Sequence, residues 1–206
     1  IWIYFWIGFG VVATCVFGWF VPQKWVVFFW NRLLLRIALW GLRVFGGIEI
    51  EVRGRQYIDQ ERAVYASKHE SALETYAMTT IITRGVMILK KELTYIPFFG
   101  WAQWLYGLIP VDRGAGARAM KKMLAAAKKR VEEKRPIIIF PEGHRMKPGT
   151  TQKYKPGFLF MAQNLKLPVI PVALNTGMFW PRSSTRHFPG KVIVCLLYTS
   201  DAADEL

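Results

Sequence analysis

The chain opens on an unbroken apolar run: residues 1–23 carry no charged side chain, and the first one is Lys24. About 20 apolar residues can cross a bilayer core as a helix. The run therefore predicts a membrane helix or a re-entrant hairpin, with a buried core helix as the alternative. Val21-Pro22 would end or bend it, since proline cannot donate to a helical ladder. In the next segment, WVVFFWNRLLLRIALWGLRVF, the polar positions change meaning. At about 100° per residue, Arg32, Arg36 and Arg43 gather on one helical face, and almost everything else there is Leu, Ile, Trp, Val or Phe. That pattern predicts a helix lying in the lipid headgroup region with its arginines reaching phosphates. A core helix with a solvated edge would look similar.

From Gly46 the rhythm shortens. IEIEVRG alternates, and AVYAS, VMILK, GLIPV, PIIIF and PVIPVAL are brief runs rich in Val and Ile. Helical patterns over Ser71 to Thr83 and Ala117 to Lys134 separate several of them. In the second helix Met120, Leu124, Ala127 and Val131 recur at helical spacing, and its Lys and Arg side chains form a solvated basic face. Strands interleaved with helices predict an α/β class: a mixed, largely parallel sheet flanked by helices. The expected division is an N-terminal membrane-binding helical element over residues 1–45 and an α/β domain over residues 46–194. The final stretch, CLLYTSDAADEL, breaks off the β-like run KVIVC, and Cys195 to Leu206 is set aside as a non-native tail. Because the first residue is Ile, the natural N-terminus is expected to lie upstream.

Composition narrows the partners. The 206 residues are 52% hydrophobic and 15% aromatic, with a formal net charge of +14. A chain both apolar and basic suits an anionic membrane surface. Nucleic acid would also tolerate the charge, but the apolar N-terminus argues against it. The excess of Lys and Arg beyond residue 23 places the remainder on the cytoplasmic face of the inner membrane. Cys15 and Cys195 lie near opposite ends, with no metal spacing and no disulfide framework, as suits a reducing compartment.

Three polar stretches interrupt the apolar pattern at strand ends. In ASKHESALET, Ser71-x-x-Glu74 matches a capping box, an ordinary helix start. The same Glu74 lies five residues after His69. On a regular helix that spacing is about 140° and forbids contact. The pair can meet only if His69 sits in the turn ahead of the helix, at the carboxyl end of the strand AVYAS. An imidazole there, with its far nitrogen on a carboxylate, could take a proton from an alcohol. In LIPVDRGAGARAM, Asp112-Arg113 and two glycines precede a helix, an arrangement that admits an anion or a plain βα turn. In RPIIIFPEGHRMKPG, a buried strand stops at Pro141, and Glu142-Gly143-His144-Arg145 form a polar loop at its end.

Taken in order, K-H-x-S-x-x-E, V-D-R, F-P-E-G-x-R and I-P-V-A-L-N resemble the four blocks of the glycerophospholipid acyltransferases, in particular the bacterial 1-acyl-sn-glycerol-3-phosphate acyltransferases. The resemblance covers about residues 20 to 194. It implies that His69 deprotonates the acceptor hydroxyl while Glu74, standing where the family usually has Asp, orients the imidazole. It implies that Arg113, Glu142, Gly143 and Arg145 bind the glycerol phosphate; Lys90 is expected to help the arginines hold it. The reaction implied is transfer of a fatty acyl group from acyl-CoA or acyl-ACP to lysophosphatidic acid, without metal or cofactor. One departure is His144, which replaces the family's threonine. A different lyso-lipid or glycerol-3-phosphate as acceptor, and a non-catalytic module for anionic lipid, are the competing expectations.

Overall fold

The computed structural model describes residues 2–58, 60–112, 114–150, 152–182 and 184–197. The chain begins with α1 (Trp2–Phe17), turns, and continues into α2 (Gln23–Phe28), a π-helical segment (Phe29–Leu34) and α3 (Leu35–Gly46). Then follow β1 (Ile48–Arg53), β2 (Val64–Ser67), α4 (Leu73–Ile81), β3 (Val86–Lys90), α5 (Phe99–Tyr106), β4 (Ile109–Val111), α6 (Gly116–Glu132) and β5 (Ile137–Ile139). The chain ends in α7 (Gly157–Leu165), β6 (Val169–Leu174), the short α8 (Thr176–Phe179) and β7 (Gly190–Leu196).

The seven strands form one sheet in the order β1-β7-β6-β2-β5-β3-β4. Every neighbouring pair is parallel except β6 with β7. This is the mixed, largely parallel sheet that the interleaved strands and helices predicted. Two buried clusters cover its faces. Alternation along the strands assigns Val64, Ile137 and Ile139 to the side of α6 and α7, with Met123, Ala127 and Met161. Tyr65 and Ile138 face the other side, with Leu73 and Met78 of α4. Successive side chains point to opposite faces of a strand, so the central strands must be apolar throughout.

That second cluster also takes in Ile3, Ala38 and Leu42. The N-terminal helices thus share a core with the sheet. They form a hairpin: Trp2 Nε1 donates to the Ile37 carbonyl at 3.1 Å, and Trp30 Nε1 to Thr14 Oγ1 at 2.8 Å. Arg135, buried with a pKa lowered to about 10 by desolvation, pins the hairpin's second arm. It donates to the Tyr106 carbonyl at 2.9 Å and lies 3.4 Å from Gln23 Oε1.

Within residues 1–23 the described helix is only 16 residues long. It stops at the Gly18 turn, where the Gly18 N–H donates to the Thr14 carbonyl at 2.8 Å. Among the described residues, the helix long and apolar enough to cross a membrane is the next one, Gln23–Gly46, of 24 residues. Arg32, Arg36 and Arg43 are all exposed on it.

At the other end, Cys195 and Leu196 belong to β7. Cys195 pairs with Arg53 of β1 and Ala173 of β6. The apolar alternation of KVIVCL simply continues in sheet register past Val194, so these two residues of the segment set aside as a tail are part of the sheet. Residues 198–206 lie outside the described residues.

Candidate active site

All three polar stretches project from the carboxyl ends of parallel strands, the edge where open α/β sheets place their ligands. His69 occupies the turn between β2 and α4, as the five-residue spacing requires if the pair is to meet. Its Nδ1 lies 2.8 Å from Glu74 Oε1. The ring stacks on Phe140 at the end of β5, with centroids 4.2 Å apart and planes 22° from parallel. The imidazole is thus held on one edge and one face, and among the described residues no hydrogen bond engages Nε2.

Glu74 is fully buried, and its carboxylate is saturated. Oε1 also accepts the backbone N–H of Glu70 at 2.8 Å and of Ser71 at 2.6 Å. Ser71 Oγ in turn accepts the Leu73 N–H at 3.1 Å. The capping reading and the dyad reading of this stretch therefore coexist: one carboxylate closes the amino end of α4 and holds the histidine. The other oxygen, Oε2, accepts the Thr176 hydroxyl at 2.6 Å. Thr176 was not singled out from the sequence. Its only signal there is a hydroxyl two residues past the strand PVIPVAL, at the same edge of the sheet.

Glu142 is arranged differently from the expectation that it meets the acceptor. It is 1% exposed and does not line the cavity beside His69. Its Oε2 accepts the His69 backbone N–H at 2.8 Å, and its Oε1 lies 3.3 Å from Lys68 Nζ. A carboxylate turned toward a phosphate would repel it, whereas here the charge is spent on a backbone donor and a lysine. Gly143 has φ 76°, and a β-carbon there would meet Lys155 Cε at 2.9 Å. The positive φ favours glycine here, whereas the flexible end of Lys155 could move aside. The loop closes back on the dyad, for Met146 N–H donates to the His69 carbonyl at 2.7 Å.

His69, Gly143, His144 and Arg145 line one cavity of about 760 Å³, and so does Lys90, which also pairs with Glu92 at 3.1 Å. Asp112 lies on the same cavity, its carboxyl held low by the Gly114 backbone N–H and by Lys91. Arg113 lies outside the described residues. Away from this polar mouth the walls turn apolar, with Leu89, Val111, Met120, Met123 and Phe158 among them and Val11 and Leu35 contributed by the hairpin.

Comparisons with known proteins bear on the family and the fold. A family model described as Acyltransferase matches residues 49–175. A 1-acyl-sn-glycerol-3-phosphate acyltransferase of Pseudomonas aeruginosa is 36% identical over 177 residues, covering 86% of this chain and 65% of that protein. A protein of the same name from Cocos nucifera is 31% identical over 161 residues, 77% of this chain and 51% of that one. The chain thus spans between half and two thirds of the length of these curated relatives. Among solved structures, the 1-acyl-sn-glycerophosphate (LPA) acyltransferase PlsC of Thermotoga maritima superposes with a TM-score of 0.76. It is 21% identical, and the match covers 98% of this chain and 84% of that one, a likeness of fold.

Proposed function

This chain belongs to the acyltransferase family, and from that premise we propose that it moves a fatty acyl group from acyl-CoA or acyl carrier protein to the sn-2 hydroxyl of lysophosphatidic acid, giving phosphatidic acid. The observation that carries this reading is the His69–Glu74 contact of 2.8 Å, on a cavity that is cationic at its mouth and apolar inside. The acceptor is itself a phosphate joined to a hydrocarbon chain, so one cavity of both characters suits it.

With Nδ1–H given to Glu74, Nε2 presents a lone pair to the acceptor. As the hydroxyl oxygen attacks the thioester carbonyl, its proton passes to Nε2, and Glu74 stabilises the imidazolium that forms. Collapse of the tetrahedral intermediate re-forms the carbonyl and breaks the carbon–sulfur bond. The proton leaves with the thiolate, and His69 is neutral again. No covalent acyl-enzyme is invoked: neither cysteine lines the cavity, and the Ser71 hydroxyl is occupied by its capping bond. Arg145 and Lys90 hold the phosphate, and Arg113 is assigned to the same task on the strength of its block.

Membrane association, on the cytoplasmic face, belongs to the same proposal. Phe20 is 85% exposed at the tip of the hairpin, and Trp19 stacks on Trp104 of α5 with centroids 5.4 Å apart. Apolar surface of this kind is costly in water and favourable in a leaflet, where acceptor and product both reside.

His69→Ala tests the reading. Transfer from labelled acyl thioester to lysophosphatidic acid should fall by about 10²–10⁴-fold, with folding and membrane association retained. Turnover near the wild-type rate would remove His69 from the mechanism.

A further inference from the structure

Beyond the four sequence blocks, the chain leaves α8 at the buried Trp180, whose indole Nε1 donates to the Ser184 carbonyl at 3.0 Å. Trp180 anchors the loop that follows, and two residues later Arg182 reaches the loop that carries Arg145. The two arginines are linked reciprocally. Arg182 Nη1 donates to the Arg145 carbonyl at 2.9 Å, and Arg145 Nη1 donates to the Arg182 carbonyl at 3.2 Å. Both line the cavity that contains His69, as does Lys155. Among the described residues, none of these three cations meets a carboxylate within salt-bridge distance.

Like charges held side by side repel, and no acidic side chain here neutralises them. An anion between the two guanidiniums would, and the planar donor fork of arginine suits phosphate oxygens. We propose that Arg182 completes a two-guanidinium clamp with Arg145 for the phosphomonoester of the acceptor. This rests on the cavity being the acyltransferase site. The clamp serves the acceptor, and the dimensions of the substrates decide it. In lysophosphatidic acid the phosphorus is only a few bonds from the reacting hydroxyl, so its ligands must sit close to His69. Arg145 does so, since the N–H of the next residue bonds the His69 carbonyl. The phosphates of a thioester donor lie a whole pantetheine arm from the reacting carbonyl.

The test is a steady-state comparison of wild type, Arg182→Gln and Arg182→Lys, varying lysophosphatidic acid and acyl donor separately. Arg182→Gln should raise the acceptor KM by about 10- to 100-fold, the effect of losing one charge-assisted contact to phosphate, with the donor KM unchanged. Arg182→Lys should recover part of the loss, and inorganic phosphate should compete with the acceptor more weakly against the Gln variant than against wild type. If Arg182 serves only to latch the two loops, Gln and Lys, which can both donate to the Arg145 carbonyl, will behave alike; that result overturns the proposal. So does a rise confined to the donor KM. An active wild type with an indifferent Arg182→Gln sinks the clamp alone, whereas a wild type that acylates no phosphate-bearing acceptor sinks the underlying reading as well.

Discussion

Two regions meet at the cavity mouth and are built on opposite plans. In the turn that carries His69, every carboxylate is buried and meets both backbone and side-chain donors. Glu74 accepts four hydrogen bonds, from the His69 ring, two backbone N–H groups and the Thr176 hydroxyl. Glu142 fixes the His69 backbone. On the adjoining rim, Arg145 is half-buried and Arg182 exposed, and among the described residues each donates to the other's main-chain carbonyl and to no carboxylate. The turn is complete without substrate, and the rim is electrostatically incomplete. A base must be oriented before the acceptor arrives, because misplacing a proton acceptor loses rate directly. A phosphate site gains from cations that have no internal partner, because any partner would compete with the ligand.

The sharpest way to break this contrast is Glu74→Gln. The amide can keep the geometry: its oxygen can take the place of Oε1 against three donors, and its NH₂ can donate to the Thr176 oxygen. What disappears is the negative charge opposite the imidazolium. We expect kcat to fall by about 10²–10³-fold, with acceptor KM and thermal stability little changed. If kcat stays near wild type, the turn is a helix cap and nothing more.

The elements of the sheet were legible in the sequence because each central strand is a short β-branched run, and because α6 repeats Met123, Ala127 and Val131 on one side. α5 and α7 were not singled out. FGWAQWLY and GFLFMAQNL are short and apolar almost all round, so they lack the periodicity that marks a helix. At the site, the spacing of His69 and Glu74 carried enough geometry to predict the turn. The inward rotation of Glu142 did not show, because a motif states which residue is present and not which way its side chain turns. Thr176 and Arg182 were invisible for a different reason. Each gains its meaning from a partner far along the chain, Glu74 at a separation of 102 residues and Arg145 at 37.

A smaller effect is expected from Thr176→Val, which keeps the shape and removes the one hydroxyl on Glu74 Oε2. Losing a buried hydrogen bond to a carboxylate typically costs about 1.5–3 kcal/mol. Part of this should appear as a lower Tm, and part as a kcat reduced by roughly tenfold once the acid is less firmly held. Substrate KM values should not move, and Thr176→Ser should restore both quantities. A shift in acceptor KM instead would put Thr176 on the substrate side and blur the division between turn and rim.

The smallest effect, and the one exception within the turn, concerns Glu70. It is 3% exposed, yet among the described residues its carboxylate meets only the Gly177 N–H at 3.3 Å and Lys68 Nζ at 3.8 Å. Burial raises its pKa; Glu74 and Glu142 push the same way, while the Gly177 N–H and Lys68 oppose the rise. The sign follows from linkage. With a folded pKa above the unfolded one, the folded state binds more protons between the two values, so stability falls as pH rises through that window. Glu70→Gln should abolish that slope. Its Tm should match wild type near about pH 4, where Glu70 is largely protonated in both states, and exceed it at neutral pH. Thermal melts across that range supply the measurement. A variant that melts below wild type at neutral pH would mean that the Lys68 contact outweighs desolvation, and that the turn holds all three of its acids on favourable terms.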